Sequence, residues 1–282
     1  MILMGVVNLT PDSFREDTRA MTAAAVRRRV ESLLERGCGI IDFGAVSTRP
    51  GAASVPVEAE WQRLQRAIDV ICTDGRLVTL PETVSQLCCS TPPCASLTVP
   101  PLSVPRVAAV SGSVPSVSVD TTSAEIVRRV YGRIGRFIVN DISAGEDDPQ
   151  MLPTVAELGL PYIAMHKRGN PRSMDSLTDY PQGVVAAVDG YFRDFAARAE
   201  ELGISEWILD PGFGFAKSAE QNWELLEKLP AFRHFGRPIL VGVADKRFTR
   251  TVNPFAAEGP ATGSAYAERL AGERGADILR VH

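Results

Sequence analysis

Residues 2–14 read ILMGVVNLTPDSF, an apolar run that gives way at Asn8 to polar residues. A short run rich in Val, Ile and Leu is typical of a strand buried on both faces, as in a parallel sheet covered by helices. The run has only about six residues and neither a basic stretch before it nor a small-residue cleavage site after it, so it does not resemble a signal peptide. We interpret it as the first buried strand of the fold.

Seven more apolar runs repeat this pattern along the chain, and each ends at residues able to take part in chemistry. The runs and their polar ends are GIIDFG with Asp42, PSVSVD with Asp120, RFIVND with Asn140 and Asp141, LPYIAMH with Met165 and His166, WILD with Asp210, PILVGVADK with Asp245 and Lys246, and DILRVH with Arg280 and His282.

The segments between these runs have helical spacing. Val26, Val30 and Leu33 lie three or four residues apart, and Gly37 follows as a helix terminator. Another stripe comprises Val185, Val188, Phe192, Phe195 and Leu202. The segment SAEQNWELLEKL opens with the Ser and Gln of a capping box, at positions 218 and 221.

Alternation of strand and helix up to an eighth strand predicts an α/β fold of the (β/α)8 TIM-barrel type. The 282 residues, 45% of them hydrophobic, suffice for one barrel domain spanning 1–282. An open doubly wound sheet is the alternative, but no Gly-x-Gly-x-x-Gly follows the first strand. In a barrel the carboxyl ends of all strands meet at one mouth, so the polar ends are expected to form a single site.

Two features depart from a regular barrel. Residues 73–115, between the second helix and the third strand, form an insert rich in Pro, Ser and Cys, nearly free of charge and without helical spacing. We expect it at the bottom of the barrel, where it could pack, dimerise or be partly disordered. The sequence also stops at His282, directly after the eighth strand, so we expect no eighth helix, and we expect another part of the chain to cover the eighth strand or its outer face to be open.

Composition argues against several classes of protein. The net charge is −4 and no basic stripe is present, so we expect binding neither to nucleic acid nor to a membrane, and a cytoplasmic location. The five cysteines are an odd number in a chain too large to depend on disulfides, so we expect reduced thiols. Neither they nor the three scattered histidines have the paired spacing of a zinc site.

Eight separated motifs, in this order, carry a resemblance to a known family: NLTPDSF, IIDFGAVSTRPGA, SVDT, NDIS, MHKRGNP, DPGFGF, LVGVADK and RVH. The chain resembles the dihydropteroate synthases of folate biosynthesis over nearly its whole length apart from the insert. The resemblance implies a transferase that condenses 6-hydroxymethyl-7,8-dihydropterin diphosphate with p-aminobenzoate, giving 7,8-dihydropteroate and pyrophosphate. It further implies Mg2+ as cofactor, inhibition by sulfonamides that mimic aminobenzoate, and a possible homodimer.

The resemblance also implies a role for each matching residue. The residues expected around the pterin are Asp120, Asn140, Met165, Asp210, Phe215, Gly242 and Lys246. Those expected at the diphosphate are Asn8, also the Mg2+ ligand, Thr48, Arg49, Arg280 and His282. The expected aminobenzoate subsite is Phe14, Pro50 and Arg247, and the expected catalytic residues are Asp120, Lys246 and Asp42.

The residue types agree with these implied roles. Carboxylate, carboxamide and ammonium groups match the donors and acceptors on the edge of a pteridine ring. Arg280 and His282 are two residues apart, so strand alternation points both toward the same face. Cationic donors of this kind stabilise a departing diphosphate. The two carboxylates Asp42 and Asp120 would stabilise positive charge that develops on the pterin methylene, without a general base.

The chain departs from the family pattern at three places. The seventh-strand motif Ser-Arg-Lys-Ser is replaced by residues 244–247, ADKR; a Gly-Glu pair is replaced by Ala45 and Val46; and Glu16 lies near a usual Asp. An unpaired Asp245 pointing into a site for two anions would cost several kcal/mol. We expect Arg247 to compensate by meeting the aminobenzoate carboxylate. A pterin-binding paralogue without turnover stays open as an alternative, as does a methyltransferase module, which would need a corrinoid domain absent from this sequence.

Overall fold

The computed structural model describes residues 1–10, 22–47, 55–73, 115–169, 176–256 and 261–282. These ranges contain eight parallel strands: β1 Ile2–Asn8, β2 Ile40–Gly44, β3 Ser116–Asp120, β4 Ile138–Asp141, β5 Tyr162–Met165, β6 Trp207–Asp210, β7 Leu240–Val241 and β8 Ile278–Val281. They also contain seven α-helices: α1 Ala23–Glu35, α2 Val57–Thr73, α3 Ala124–Ile134, α4 Met151–Leu158, α5 Val184–Glu201, α6 Ala219–Glu227 and α7 Ser264–Glu273. Short 3-10 helices cover Leu229–Phe235 and Arg247–Arg250.

The strands form one sheet that nearly closes on itself. Their order is β6-β5-β4-β3-β2-β1-β8-β7, and a parallel bridge between Leu209 and Ile239 joins the two outer strands. A helix follows each of the first seven strands, which confirms the predicted TIM barrel.

The local signals in the sequence explain most element boundaries. Helix α1 ends just before Gly37, which has a φ of 80°. The predicted capping box is confirmed, because Ser218 and Gln221 bond each other's backbone N–H groups at the start of α6. The expectation that Leu202 belongs to the buried stripe is wrong. Helix α5 ends at Glu201, and Leu202 is 39% exposed.

An apolar ring fills the lower part of the barrel. It contains one buried residue from each of seven strands: Met4, Ile40, Ile138, Ile163, Ile208, Leu240 and Ile278. Because side chains alternate along a strand, the residue two positions further on points into the barrel again, one layer closer to the mouth. The residues at those positions are Val6, Asp42, Asn140, Met165, Asp210, Gly242 and Arg280. The fold therefore collects four of the predicted polar residues, Asp42, Asn140, Asp210 and Arg280, in one layer above an apolar base.

The outer face of β8 is covered. Leu279 and Val281 are 4% and 6% exposed and belong to the same buried cluster as residues of α7, which contacts β8. The predicted insert lies outside the described residues, apart from its two ends, so its position stays a prediction. Of the helices that are described, none combines the length and the apolar character needed to span a bilayer.

Candidate functional site

A cavity of about 910 Å³ opens at the carboxyl ends of the strands. Nine of the predicted site residues line it: Asn8, Asp42, Asp120, Phe215, Gly242, Lys246, Arg247, Arg280 and His282. Its volume is within the range of small-molecule sites. The structure thus brings residues from β1, β2, β3 and β8 and from the loops after β6 and β7 to one place.

Three predicted residues lie beside this cavity rather than on its surface. Asn140 is buried and donates from Nδ2 to Asp42 Oδ2, 3.1 Å away. Met165 belongs to a small buried cluster with Phe215, and Asp210 is 5% exposed. All three belong to the barrel layer that also contains Asp42, Gly242 and Arg280. The predicted residues Phe14, Thr48, Arg49 and Pro50, and also Glu16, lie outside the described residues.

Two carboxyl groups, Asp42 and Asp120, lie on neighbouring strands. Asp42 accepts hydrogen bonds from Ser118 Oγ, at 2.8 Å, and from Asn140. Burial raises the pKa of Asp42, against the effects of Arg280 and these two donors. Burial, followed by the proximity of Asp42, raises the pKa of Asp120 to about 8, while Arg280 opposes that shift. A positive charge placed beside the pair would lower both pKa values, because it stabilises the ionised form of each carboxyl group.

Asp210 is the counter-charge of the buried cations. Its Oδ1 accepts from the Gly212 N–H at 2.8 Å. Burial raises the pKa of this carboxyl, and Arg280, the Gly212 N–H, Lys246 and Lys217 all lower it. Three cations and one backbone donor thus favour the ionised form of Asp210.

Lys246 lies over an aromatic ring at the side of the cavity. Its Nζ is 4.9 Å from the centre of the Phe215 ring, within the range of a cation–π contact. Burial and then Arg280 lower the pKa of Lys246 to about 8, whereas Asp210 opposes this shift. Gly214 leaves room for the lysine, because a Cβ there would lie 3.3 Å from Lys246 Cδ.

Arg280 and His282 form the basic side of the cavity at the end of β8. A Cβ at Gly242 would lie 3.4 Å from Arg280 Nε, so the glycine directly after β7 makes room for the guanidinium. Desolvation and then Arg280 lower the pKa of His282, and Asp245 opposes the shift. A bound anion would reverse part of this effect.

The departures from the family motif lie at the rim. Asp245 is exposed, with a φ of 55°, and its N–H donates to Ser264 Oγ at 3.0 Å. Asp tolerates this left-handed backbone better than most residues. Asp245 also lines the cavity, but because it is exposed the cost of a buried unpaired charge does not apply to it. Arg247 is also exposed and lines the cavity. Ala45 is fully buried and Val46 lines the cavity.

Asp141 does not join the site, although it follows Asn140 directly. Its carboxylate accepts hydrogen bonds from Ser143, Gly145 and the Tyr162 hydroxyl, the last at 2.6 Å. Neighbouring residues of a strand point to opposite faces, so only one of the two can face the barrel interior. The role of Asp141 is to hold the loop after β4.

Several residues near the site carried no clear signal in the sequence. Lys217 lines the cavity and is almost fully buried. Ser118 bonds Asp42, and Glu60 of α2 accepts from Thr121 Oγ1 at 2.6 Å, just beyond β3. A charged residue two positions after the glycine-rich DPGFGF was the one available hint for Lys217.

Oxygen donors for a cation lie at the ends of β1 and β3. A Cβ at Gly44 would be 3.9 Å from Asn8 Oδ1 and 3.6 Å from Asp120 Oδ2, so both oxygens border the same space. Over the ranges that the structure describes, no group of three or more His, Cys, Asp and Glu side chains could hold a metal ion. A cation at this place would need ligands from a bound molecule or water.

Comparison with known proteins identifies the family. A family model for pterin binding enzymes matches residues 4–80 and 103–282; the unmatched residues 81–102 fall within the predicted insert. Dihydropteroate synthase of Escherichia coli strain K12 is 33% identical over 282 residues, which cover 99% of this chain and 86% of that protein.

Solved structures agree with this result. The crystal structure of Yersinia pestis dihydropteroate synthase with a sulfonamide drug has a TM-score of 0.74 and 28% identity, covering 100% of this chain and 88% of that one. The Xanthomonas albilineans enzyme with 4-aminobenzoic acid has a TM-score of 0.71 and 32% identity, covering 100% and 87%. This chain belongs to the dihydropteroate synthase family of pterin-binding enzymes.

Proposed function

We propose that the cavity at the barrel mouth is where this transferase condenses 6-hydroxymethyl-7,8-dihydropterin diphosphate with p-aminobenzoate. The observation that carries this proposal is the arrangement of charge. Carboxyl and carboxamide groups lie deep in the barrel, and Arg280 and His282 lie on its β8 side. This arrangement suits a substrate with a polar ring at one end and a diphosphate at the other.

The pterin ring would bind in the deepest part of the cavity, inside the barrel. Asp120, Asn140, Asp210 and Lys246 supply donors and acceptors for its edge, while Met165 and Phe215 supply apolar contact for its faces. Gly242 leaves space beside Arg280, because a larger residue would press on the guanidinium.

The diphosphate would bind between the ends of β1 and β8. Arg280 and His282 offer N–H donors, and a dianionic leaving group would raise the lowered pKa of His282 by attraction. Thr48 and Arg49, which lie in a second loop over the mouth in the family pattern, are proposed to add contacts.

Mg2+ fits the oxygen donors beside Gly44. The ion keeps several waters and is usually bound by one or two protein oxygens together with substrate phosphates. Asn8 would supply such an oxygen, with the Asp120 carboxylate bordering the same space. Bound there, Mg2+ would neutralise charge on the diphosphate and make it a better leaving group.

The pair of Asp42 and Asp120 would stabilise the positive charge that develops on the pterin methylene as the diphosphate leaves. Their raised pKa values mean that the ionised forms are poorly compensated in the free protein. A cation beside them lowers those pKa values, so the interaction is strongest in the charged transition state. Attack by the aniline nitrogen on the methylene then forms the C–N bond, and the proton that this nitrogen loses passes to the released pyrophosphate or to water, without a covalent intermediate on the protein.

The direct test is a turnover assay. With pterin diphosphate, aminobenzoate and Mg2+ present, we expect pyrophosphate release that requires both substrates. Binding of the pterin without release would instead support the paralogue that lacks turnover. Sulfonamides, proposed to occupy the aminobenzoate subsite, should inhibit competitively with aminobenzoate. Assembly as a homodimer stays a prediction.

Arg247 is proposed to bind the aminobenzoate carboxylate, with Phe14 and Pro50 as walls of that subsite. Replacing Arg247 by Ala should raise the KM for aminobenzoate about tenfold, the effect of one charge-assisted hydrogen bond at an exposed site. The KM for the pterin diphosphate should stay within about twofold. Arg250→Ala, in the same 3-10 helix, is the matched control. An unchanged KM for aminobenzoate in Arg247→Ala would refute this role.

A further inference from the structure

Lys217 is a buried lysine whose three hydrogen bonds all go to protein groups; burial lowers its pKa to about 7, while Asp210 opposes the shift and favours the charged form. Its Nζ lies 2.9 Å from His166 Nδ1, 2.8 Å from the Gly212 carbonyl oxygen and 3.0 Å from the Phe215 carbonyl oxygen. An ammonium group has three N–H donors. The side chain is therefore fully used inside the protein, although it lines the cavity and is only 8% exposed.

These three acceptors belong to two separate parts of the barrel. His166 directly follows β5, whereas Gly212 and Phe215 lie in residues 211–218, which we call the β6 loop. Lys217 thus joins the end of β5 to the β6 loop at both ends of the Gly212–Phe215 turn. Two further hydrogen bonds link the segment after β5 to the β6 loop and to α6: the Tyr180 hydroxyl donates to the Ala216 carbonyl oxygen, and Gln221 Nε2 donates to the Thr178 carbonyl oxygen.

The β6 loop carries one of the proposed pterin contacts, Phe215, and supports a second, Asp210 at the end of β6. Phe215 itself faces Lys246, and the Gly212 N–H donates to the Asp210 carboxylate. Moving the Gly212–Phe215 turn would therefore move the ring of Phe215 and remove a donor from Asp210. Lys217 also contributes positive charge next to Asp210.

The backbone of the β6 loop needs such a constraint. Ala216 has a φ of 50°, a left-handed conformation that costs a non-glycine residue about 1 kcal/mol or more. Gly212 packs so closely on β5 that a Cβ would lie 1.9 Å from the His166 carbonyl oxygen. Strained and tightly packed backbone of this kind persists where surrounding contacts fix it.

His166 can accept the hydrogen bond from Lys217. Burial and then the charge of Lys217 lower the pKa of His166 well below its usual range, so its ring is neutral and Nδ1 can accept. The ring is fixed in turn by an edge-on contact with Tyr191, with centroids 5.0 Å apart.

We propose that Lys217 is a positioning residue for the pterin: by bonding His166 and both ends of the Gly212–Phe215 turn, it holds Phe215 and Asp210 in the geometry that binds the ring. The inference rests on the proposed function of the cavity. In this role Lys217 forms no bond to the substrate and acts only through Phe215 and Asp210, whose positions it fixes.

The test compares Lys217→Met with the intact protein in two measurements. Calorimetry with 6-hydroxymethylpterin should show a Kd raised at least about tenfold, the scale of one lost charged hydrogen bond. Steady-state kinetics should show a comparable rise in KM for the pterin diphosphate, with kcat lowered less than about threefold, because ground and transition states lose the same contacts. Lys228→Met, an exposed lysine paired with Glu224, is the control and should change neither value.

Two substitutions of His166 keep the proposal testable if Lys217→Met does not fold. Asn places an acceptor oxygen near the position of Nδ1, whereas Leu removes it. We expect His166→Asn to bind 6-hydroxymethylpterin within about threefold of the intact protein and His166→Leu to bind it at least about tenfold more weakly. Equal binding by the two variants would overturn the role of the Lys217 bond.

The outcomes also separate this inference from the proposed function. If the intact protein binds no 6-hydroxymethylpterin, the proposed site is wrong, and the role of Lys217 falls with it. If the intact protein binds it and a folded Lys217→Met binds it within about twofold, the site stands and the positioning role is wrong.

Discussion

Replacing Asp210 by Asn is expected to lower kcat/KM for the pterin diphosphate about a thousandfold. Asn keeps the size of the side chain and an oxygen that can accept from the Gly212 N–H, so the main change is loss of charge. Lys246, Lys217 and Arg280 would then lack their shared buried counter-charge. Removing one partner of a buried charged group costs about 3–5 kcal/mol, and about 1.4 kcal/mol corresponds to tenfold in rate.

The measurement is pyrophosphate release at varied pterin diphosphate, with thermal unfolding to verify that the variant is folded. Asp69→Asn is the matched control, because Asp69 pairs with Arg133 at the surface, with side chains 65% and 47% exposed, and such surface pairs contribute little. Activity of a folded Asp210→Asn within about tenfold of the intact protein would contradict the proposed role.

Much of the site could be predicted from the sequence because every second residue of a barrel strand points inward, so equivalent positions on different strands form one layer of the interior. Asp42, Asn140, Asp210 and Arg280 each lie two residues after an apolar ring residue, and strand alternation alone places them on the inner face. The same rule separates Asn140 from Asp141, whose carboxylate bonds Tyr162 instead. A polar residue at a strand end therefore predicts a site residue only when strand alternation places it on the inner face of the barrel.

Other features depend on contacts that no local pattern records. Lys217 meets His166 across 51 residues of sequence, and nothing near either residue predicts the bond. Asp245 looked costly as a charge reversal, but its effect depends on exposure and on a left-handed backbone held by Ser264. Strand β7 has only two residues, so residues 244–247 lie in the following loop and 3-10 helix rather than on the strand.

Replacing Arg280 by Lys is expected to lower kcat/KM for the pterin diphosphate about a hundredfold. Lysine keeps the positive charge that faces Asp42, Asp120 and Asp210, but it loses the planar pair of donors that suits phosphate oxygens. Loss of a bidentate charged contact of about 2–3 kcal/mol accounts for this factor.

The comparison that decides this role uses two ligands. Because the charge beside the carboxyl groups is retained, Arg280→Lys should bind 6-hydroxymethylpterin, which has no diphosphate, within about threefold of the intact protein. Arg269→Lys, on an exposed part of α7, controls for the general effect of the substitution. A folded Arg280→Lys that lost affinity equally for both ligands would place Arg280 at the ring rather than at the diphosphate, and the orientation proposed for the substrate would have to be reversed.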